Sequence, residues 1–298
     1  MPKVYSFPAK STQKVAKTLE YCLGKAGIKS TGYMGVFNRN IFSSSKYKWV
    51  YYVVEWILTD DEIDYINTFP KVFIPGSNFV KFLSRNYRFP PVLHEVPIDF
   101  LNANIRRVDK RYDFMAVTYS LVRKTPYIML KFLNKTKHKG VVVGDFTICN
   151  HLKNPNVKCI NFGVNSEEDM KELYQASKTF VFLSGNEGFG LPPLEATYMG
   201  LPVISYPFMP FLEWHKRDSF TIPDKLLQVK GVYQHGTLHP VVLPKDGYDD
   251  NVIEFVEDMI GHSADNNTID SIHYVKENMT YCKEFGKIVD ILLNYGIT

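Results

Sequence analysis

No apolar stretch in the 298 residues approaches the length of about 20 that a membrane-spanning helix needs, and the start MPKVYSFPAKST lacks the apolar segment of a secretory leader. Both absences lead to the expectation of a cytoplasmic protein, with membrane contact kept only as a peripheral option. Charge of one sign is not in large excess either. Against 35 Lys and Arg stand 31 Asp and Glu, and the resulting +4 is too small to imply a nucleic-acid partner by itself. Cysteine is scarce: Cys22, Cys149, Cys159 and Cys282 are scattered, with neither a metal-ligand spacing nor a disulfide framework, so reduced core thiols are expected. There is no repeat at solenoid period and no low-complexity tract.

What is present is a globular chain, 45% hydrophobic and 22% charged, long enough to bury the cores of two compact units. Basic residues cluster in RRVDKR (106–111) and KFLNKTKHKG (131–140). A solvated linker and a solvated helix end account for them, and an anionic acceptor or membrane surface is the alternative. KVYSF (3–7) reads as a strand. Ser11 and Thr12 then read as caps of a helix that places Val15, Leu19, Cys22 and Leu23 on one face. WVYYVVEW (49–56) reads as a buried strand, TDDEIDYINTF as a helix, KVFIP as a strand, the stretch after Ser77 as a helix and PPVLHEVPID as a strand. This alternation predicts a parallel sheet wrapped by helices.

The charged stretch 106–113 marks a domain boundary, after which the pattern restarts. DFMAVTYS, GVVVGD and NVKCINFG read as strands, and helices are predicted at 126–133 and 166–176. Residues 215–250 show no clear periodicity and are read as irregular. Helices at 250–260 and 268–293 close the chain. The expected division is 1–106, 107–275 and a C-terminal helix, 276–298, that packs back on the first domain.

GNEGFGLPPLE (185–195) carries the chemistry. TFVFLS before it and LPVIS after it are strands, and PPLEATYM is helical, with a proline in the first turn and Gly200 and Pro202 as the stop. Glu187 then falls in the loop at a strand's carboxyl end and Glu195 in the first turn of the helix, so one crevice receives both. Gly188 and Gly190 allow close backbone approach and leave amides for an anion, which the helix N-terminus also favours. Two carboxylates beside an anion site suit a ligand with phosphates and many hydroxyls, a nucleotide sugar. The plainer alternative is that Glu195 complements the helix dipole, worth about 0.3–1 kcal/mol, and that Glu187 is a solvated loop residue.

EGFGLPPLEATYMGLPVIS resembles the signature of the retaining glycosyltransferases of family 4, with the GT-B fold and the Glu-x7-Glu motif. SEEDMKELYQASKTFVFLS, GVVVGD and HEVPIDF resemble further segments of that family, in its order and spacing, from about residue 70 to 214. The resemblance implies two doubly wound Rossmann-like α/β domains facing a central cleft. It implies that Glu195 holds the ribose hydroxyls of the donor nucleotide. Glu187, with Gly188, Phe189, Gly190 and Leu191, would hold the donor sugar. Lys124, with Arg123 beside it, would bind the diphosphate, so Glu187 and Lys124 would carry catalysis. No cofactor or metal is implied, and no cluster of His and Asp contradicts that.

The implied activity is metal-independent, retaining transfer of a hexose, such as glucose from UDP-glucose, from a UDP- or GDP-linked donor to a glycan, lipid-linked or protein-linked acceptor hydroxyl. Departures from the pattern bear on it. Thr118, Tyr119 and Ser120 replace the usual Gly-Arg-Leu, so one phosphate cation is missing unless Arg123 substitutes. FPAKST replaces a glycine-rich loop, where Lys10, Ser11 and Thr12 are the candidates to meet ligand. No equivalent of the family's sugar-side histidine is found near Glu55 and Trp56, and His94 is read as structural. The first domain is short, as in small microbial or viral members. Rival readings are transfer to a modified DNA base and a catalytically silent sugar-nucleotide-binding module.

Overall fold

The computed structural model describes residues 2–6, 10–29, 31–36, 49–53, 64, 72–73, 92–104, 108–163, 166–234 and 237–296. Two compact units emerge, one formed by residues 1–102 and 274–298, the other by 103–273. The sequence expectation had set these divisions at 106/107 and 275/276.

In the first unit, strands β1 (Lys3–Ser6), β2 (Thr31–Val36), β3 (Trp49–Val53) and β4 (Val72–Phe73) pair in parallel in that order. Helix α1 (Lys10–Lys25) buries Val15, Leu19, Cys22 and Leu23. Ser11 and Thr12 lie inside its first turn rather than capping it, because the helix begins at Lys10. The helices expected after Trp56 and at Ser77, Asp64 apart, the loop residues 7–9, Glu55 and, of RRVDKR, Arg106 and Arg107 fall outside the described residues. The expected strand PPVLHEVPID is not one over its described residues: 92–97 join no ladder among the described residues and run into a short helix, α2 (Ile98–Asn102). His94 there is 3% exposed and its Nδ1 lies 3.0 Å from the Tyr51 hydroxyl. Burial lowers its pKa to about 3, so it is neutral.

In the second unit five parallel strands stand in the order β7-β6-β5-β8-β9. They are β5 (Tyr112–Thr118), β6 (Gly140–Gly144), β7 (Val157–Asn161), β8 (Ser177–Phe182) and β9 (Val203–Ser205). The central run GVVVG of β6 is buried throughout, as a strand covered on both faces requires, whereas at the sheet edge β7 buries only Val157 fully. Helices α3 (Pro126–Lys135), α4 (Phe146–His151), α5 (Glu167–Gln175) and α6 (Leu191–Tyr198) connect them. A capping box of Ser166 and Asp169 starts α5. After β5 the chain first moves to one side of it and later returns to the other, so β5 and β8 flank the switch point where such sheets bind ligands.

Three expectations are corrected. Residues 215–250 include a two-stranded antiparallel hairpin, β10 (Leu227–Gln234) with β11 (Thr237–Pro244). β10 is mostly solvent-facing, β11 is half-buried, and Gly231 and Pro240 interrupt them, so the pair shows no clear hydrophobic alternation in the sequence. The single helix expected at 268–293 is two, α9 (Asn266–Asn278) and α10 (Gly286–Asn294), following α7 (Met209–Leu212) and α8 (Asp249–Met259). Between them Tyr281 and Cys282 adopt positive φ of 49° and 73°. The Glu95 carboxylate accepts the amides of Cys282, Glu284 and Phe285, which replaces helical pairing there. Finally, the cysteines are paired, Cys22 with Cys282 and Cys149 with Cys159. The first pair is 260 residues apart and exists because the chain end returns to α1, which spacing cannot reveal.

Candidate active site

The site forms at the carboxyl ends of β5 and β8. From β5 the chain passes through Tyr119 and Ser120 into a tight turn, Val122–Lys124, closed by Thr125 at φ 51°. A β-branched residue holds that conformation only when its surroundings enforce it. Here the buried Thr125 hydroxyl donates toward the Leu183 carbonyl at 2.6 Å, locking the turn to the loop after β8.

That lock brings together the residues expected to work together. Lys124 Nζ lies 2.5 Å from Glu187 Oε2, with side chains 9% and 14% exposed. Lys124 is therefore buried rather than solvated. A poorly solvated ion pair persists when further hydrogen bonds compensate each ion. Ser184 Oγ donates to Glu187 Oε1 at 2.6 Å, and Lys124 Nζ donates to the Asn186 carbonyl at 2.8 Å. Arg123 joins the same group, its Nη1 donating to the Asn186 carbonyl at 3.3 Å and to its Oδ1 at 3.4 Å. Two cations thus converge on two consecutive residues of the loop, Asn186 and Glu187.

Of the loop glycines, Gly190 takes the left-handed conformation, φ 91°, and a Cβ there would come within 3.0 Å of Pro193 and 3.2 Å of Phe208. The amides of Gly188 and Gly190 donate to no acceptor among the described residues, which leaves them for a ligand. Phe189 is 3% exposed and its ring stacks on Trp214, so its side chain belongs to the core and only its backbone faces the loop. Leu191, half-buried, opens α6.

Glu195 sits in the second turn of α6 rather than the first, since the helix begins at Leu191. It is 3% exposed, and the Tyr174 hydroxyl donates to its Oε2 at 3.1 Å. Burial and then the Glu195 charge push the Tyr174 pKa well above its ordinary value, so that hydroxyl stays a donor. Tyr119 shows where the carboxylates meet. Burial raises its pKa first, then the charges of Glu187, Asp145 and Glu195. Its ring packs at 4.6 Å against Phe162, which follows β7.

Ser120 is occupied: its amide and hydroxyl both donate to Asp145 Oδ2 at 2.7 Å. Asp145 also caps α4 through the Ile148 amide. Burial alone would raise that carboxyl, but these bonds outweigh it and hold it below the usual range. Lys10, Ser11 and Thr12 belong to the first unit, Ser11 exposed and Thr12 buried; the Lys10 side chain lies outside the described residues. Among the described residues no three His, Cys, Asp or Glu could hold a metal ion, and no helix is long and apolar enough to cross a membrane.

Sequence reasoning missed Ser184, Asn186 and Tyr174. Ser184 and Asn186 flank Gly185 in the quoted stretch, but only the fold shows which polar loop residues turn inward. Tyr174 lies 21 positions before Glu195, and nothing in the sequence links the two.

Residues 130–219 match the family profile described as glycosyl transferases group 1. A 42-residue stretch is 52% identical to the O-antigen chain mannosyltransferase B of Escherichia coli, covering 14% of this chain and 11% of that protein. Another, of 56 residues, is 45% identical to uncharacterized glycosyltransferase 335 of Sulfolobus islandicus rod-shaped virus 1, covering 18% and 17%. These curated relatives are thus matched over less than a fifth of their length. Among solved structures, WaaG, a glycosyltransferase involved in lipopolysaccharide biosynthesis, superposes with a TM-score of 0.54 at 11% identity, over 98% of this chain and 99% of that one. The chain therefore has the GT-B fold and carries, within its second unit, a segment of the glycosyl transferases group 1 type.

Proposed function

We propose that the protein is a retaining glycosyltransferase that moves a hexose from a UDP- or GDP-linked donor to a hydroxyl of a glycan or of a lipid- or protein-linked sugar. The observation that carries this reading is the Lys124–Glu187 pair at the switch point, with Arg123 on the same loop and Glu195 on the following helix.

In this reading Lys124 and Arg123 face the donor diphosphate, and the negative charge that grows on the leaving group is stabilised where water is largely excluded. Arg123 supplies the cation that Tyr119 does not. Glu187 and the amides of Gly188 and Gly190 hold the sugar, and Glu195, fixed by Tyr174, accepts from the ribose hydroxyls. The acceptor oxygen bonds to the anomeric carbon on the face from which the nucleoside diphosphate departs. The broken C–O bond leaves its electron pair on the β-phosphate oxygen, which takes the acceptor proton. Positioning supplies the rest of the barrier reduction, and no metal or protein nucleophile takes part.

The test is nucleoside diphosphate release from UDP-, GDP- and ADP-sugars, without added acceptor, by wild type and Glu187→Gln. Slow release from one donor, abolished in the variant, is the predicted result. Undiminished release by the variant overturns the role given to Glu187, and the absence of both release and a nucleotide-induced thermal shift overturns the reading itself.

A further inference from the structure

The β10–β11 hairpin belongs to neither sheet, yet its backbone grips the loop that carries Glu187. The Val242 amide donates to the Gly185 carbonyl at 2.8 Å, and Asn186 Nδ2 donates to the Pro240 carbonyl at 2.9 Å. At the far end of β10, Gln234 Oε1 accepts the Arg123 amide at 3.2 Å. The approach is too close for any side chain at residue 185. A Cβ on Gly185 would lie 2.4 Å from the Val242 carbonyl oxygen and 2.7 Å from the Thr125 methyl.

Asn186 is the hub of this contact. It is 7% exposed and every polar group of its side chain is engaged, Nδ2 toward the hairpin and Oδ1 toward Arg123. Its carbonyl receives both Arg123 and Lys124. A planar amide held at one end by a strand carbonyl has a fixed direction at the other. Long cationic side chains lose rotamer freedom when they bind, and a cation already held in place loses less of it at that moment.

We propose that the hairpin is a positioning element of the donor site and that Asn186, held by it, presets Arg123 and Lys124 for a nucleoside diphosphate. The inference rests on the donor reading above but goes beyond it, because it assigns a role to residues outside the strand–helix units and to a side chain that need not touch the ligand. It also distinguishes the two ends of the hairpin: the contacts at Pro240 and Val242 set the loop, and Gln234 sets the backbone of Arg123.

The experiment is calorimetric titration of UDP and GDP into wild type, Asn186→Ala, Arg123→Ala and the double variant, with melting temperatures as controls. Acting through Arg123, Asn186→Ala weakens binding about tenfold in the wild-type background and adds little once Arg123 is gone, the non-additivity of residues that work as a unit. Additive losses, or equal binding by Asn186→Ala and wild type, overturn the inference while leaving the donor reading intact. Failure of wild type to bind either nucleotide overturns both. Gln234→Ala, a change at a partly exposed position, guards against a folding defect: a smaller loss of affinity at unchanged melting temperature is predicted, and no loss counts against the hairpin's role.

Discussion

At the residue scale the central feature is an ion pair between the two side chains that the family resemblance assigns to catalysis. Lys124 and Glu187 neutralise one another, and in the proposed reading a donor diphosphate would compete with Glu187 for the lysine. Removing one partner strands the other in a poorly solvated place, which costs more than an exposed pair would. Tyr174 acts more modestly. Tyr174→Phe deletes one hydrogen bond to the Glu195 carboxylate, worth about 1–3 kcal/mol. Steady-state kinetics of this variant should show a donor KM raised roughly five- to tenfold with kcat nearly unchanged; a fall in kcat alone would contradict the ribose role of Glu195. Residue types and spacing made Glu187, Glu195, Arg123 and Lys124 legible, since a motif fixes them relative to strand ends. Ser184, Asn186 and Tyr174 act through contacts that have no spacing rule.

At the element scale, the parallel strands of the second unit were legible and its hairpin was not. Strands β5, β6 and β8 are apolar runs bounded by turn residues, and α5 begins at a capping box, so local pattern and tertiary role agree. The hairpin lacks that agreement: Val229 and Tyr233 are 68% and 77% exposed, so apolar residues there do not mark a buried face. The break between α9 and α10 was illegible for another reason. Residues 279–285 continue a helical pattern, and the partner that stops the helix, Glu95, comes from a distant segment. The hairpin contact gives a sharp expectation. Gly185→Ala collides with a backbone oxygen that cannot swing away, so the loop after β8 must shift. The variant should lose roughly 1–3 kcal/mol of stability by the usual penalty for overpacking, read by chemical denaturation, and nucleotide binding should fall with it; unchanged stability would show that the hairpin yields.

At the scale of the whole molecule, two long-range ties deserve separate tests. Cys22–Cys282 closes a loop of 260 residues and fastens the chain end to α1 within the first unit. Cys22→Ser in oxidised protein should lower the melting temperature by roughly 5–15 °C, from a loss of about 2–5 kcal/mol; an unchanged transition would mean that the pair contributes nothing in solution. Acid sensitivity has a distinct origin. Burial would raise the Asp265 carboxyl, but hydrogen bonds from Ser219 and Thr268 hold its pKa at about 2, below the ordinary 3.8. A depressed folded value means that this stabilisation is present above the unfolded pKa and is lost as pH falls toward 2. Asp265→Asn should therefore flatten the stability profile between about pH 4 and 2, as followed by circular dichroism; a profile as steep as wild type would contradict the assignment. The GT-B fold was legible because matched segments keep their order over half the chain, whereas neither the Cys22–Cys282 pair nor the Ser219 bond to Asp265 leaves a trace in local sequence.

The most direct test of the account is titration of UDP and GDP into wild type and Lys124→Ala. The account predicts that wild type binds one of the two and that Lys124→Ala binds it at least about tenfold more weakly, the loss of one charge-assisted contact to the diphosphate. Equal binding by both proteins, or no binding of either nucleotide to wild type, would contradict the claim that this loop is a nucleotide-sugar site.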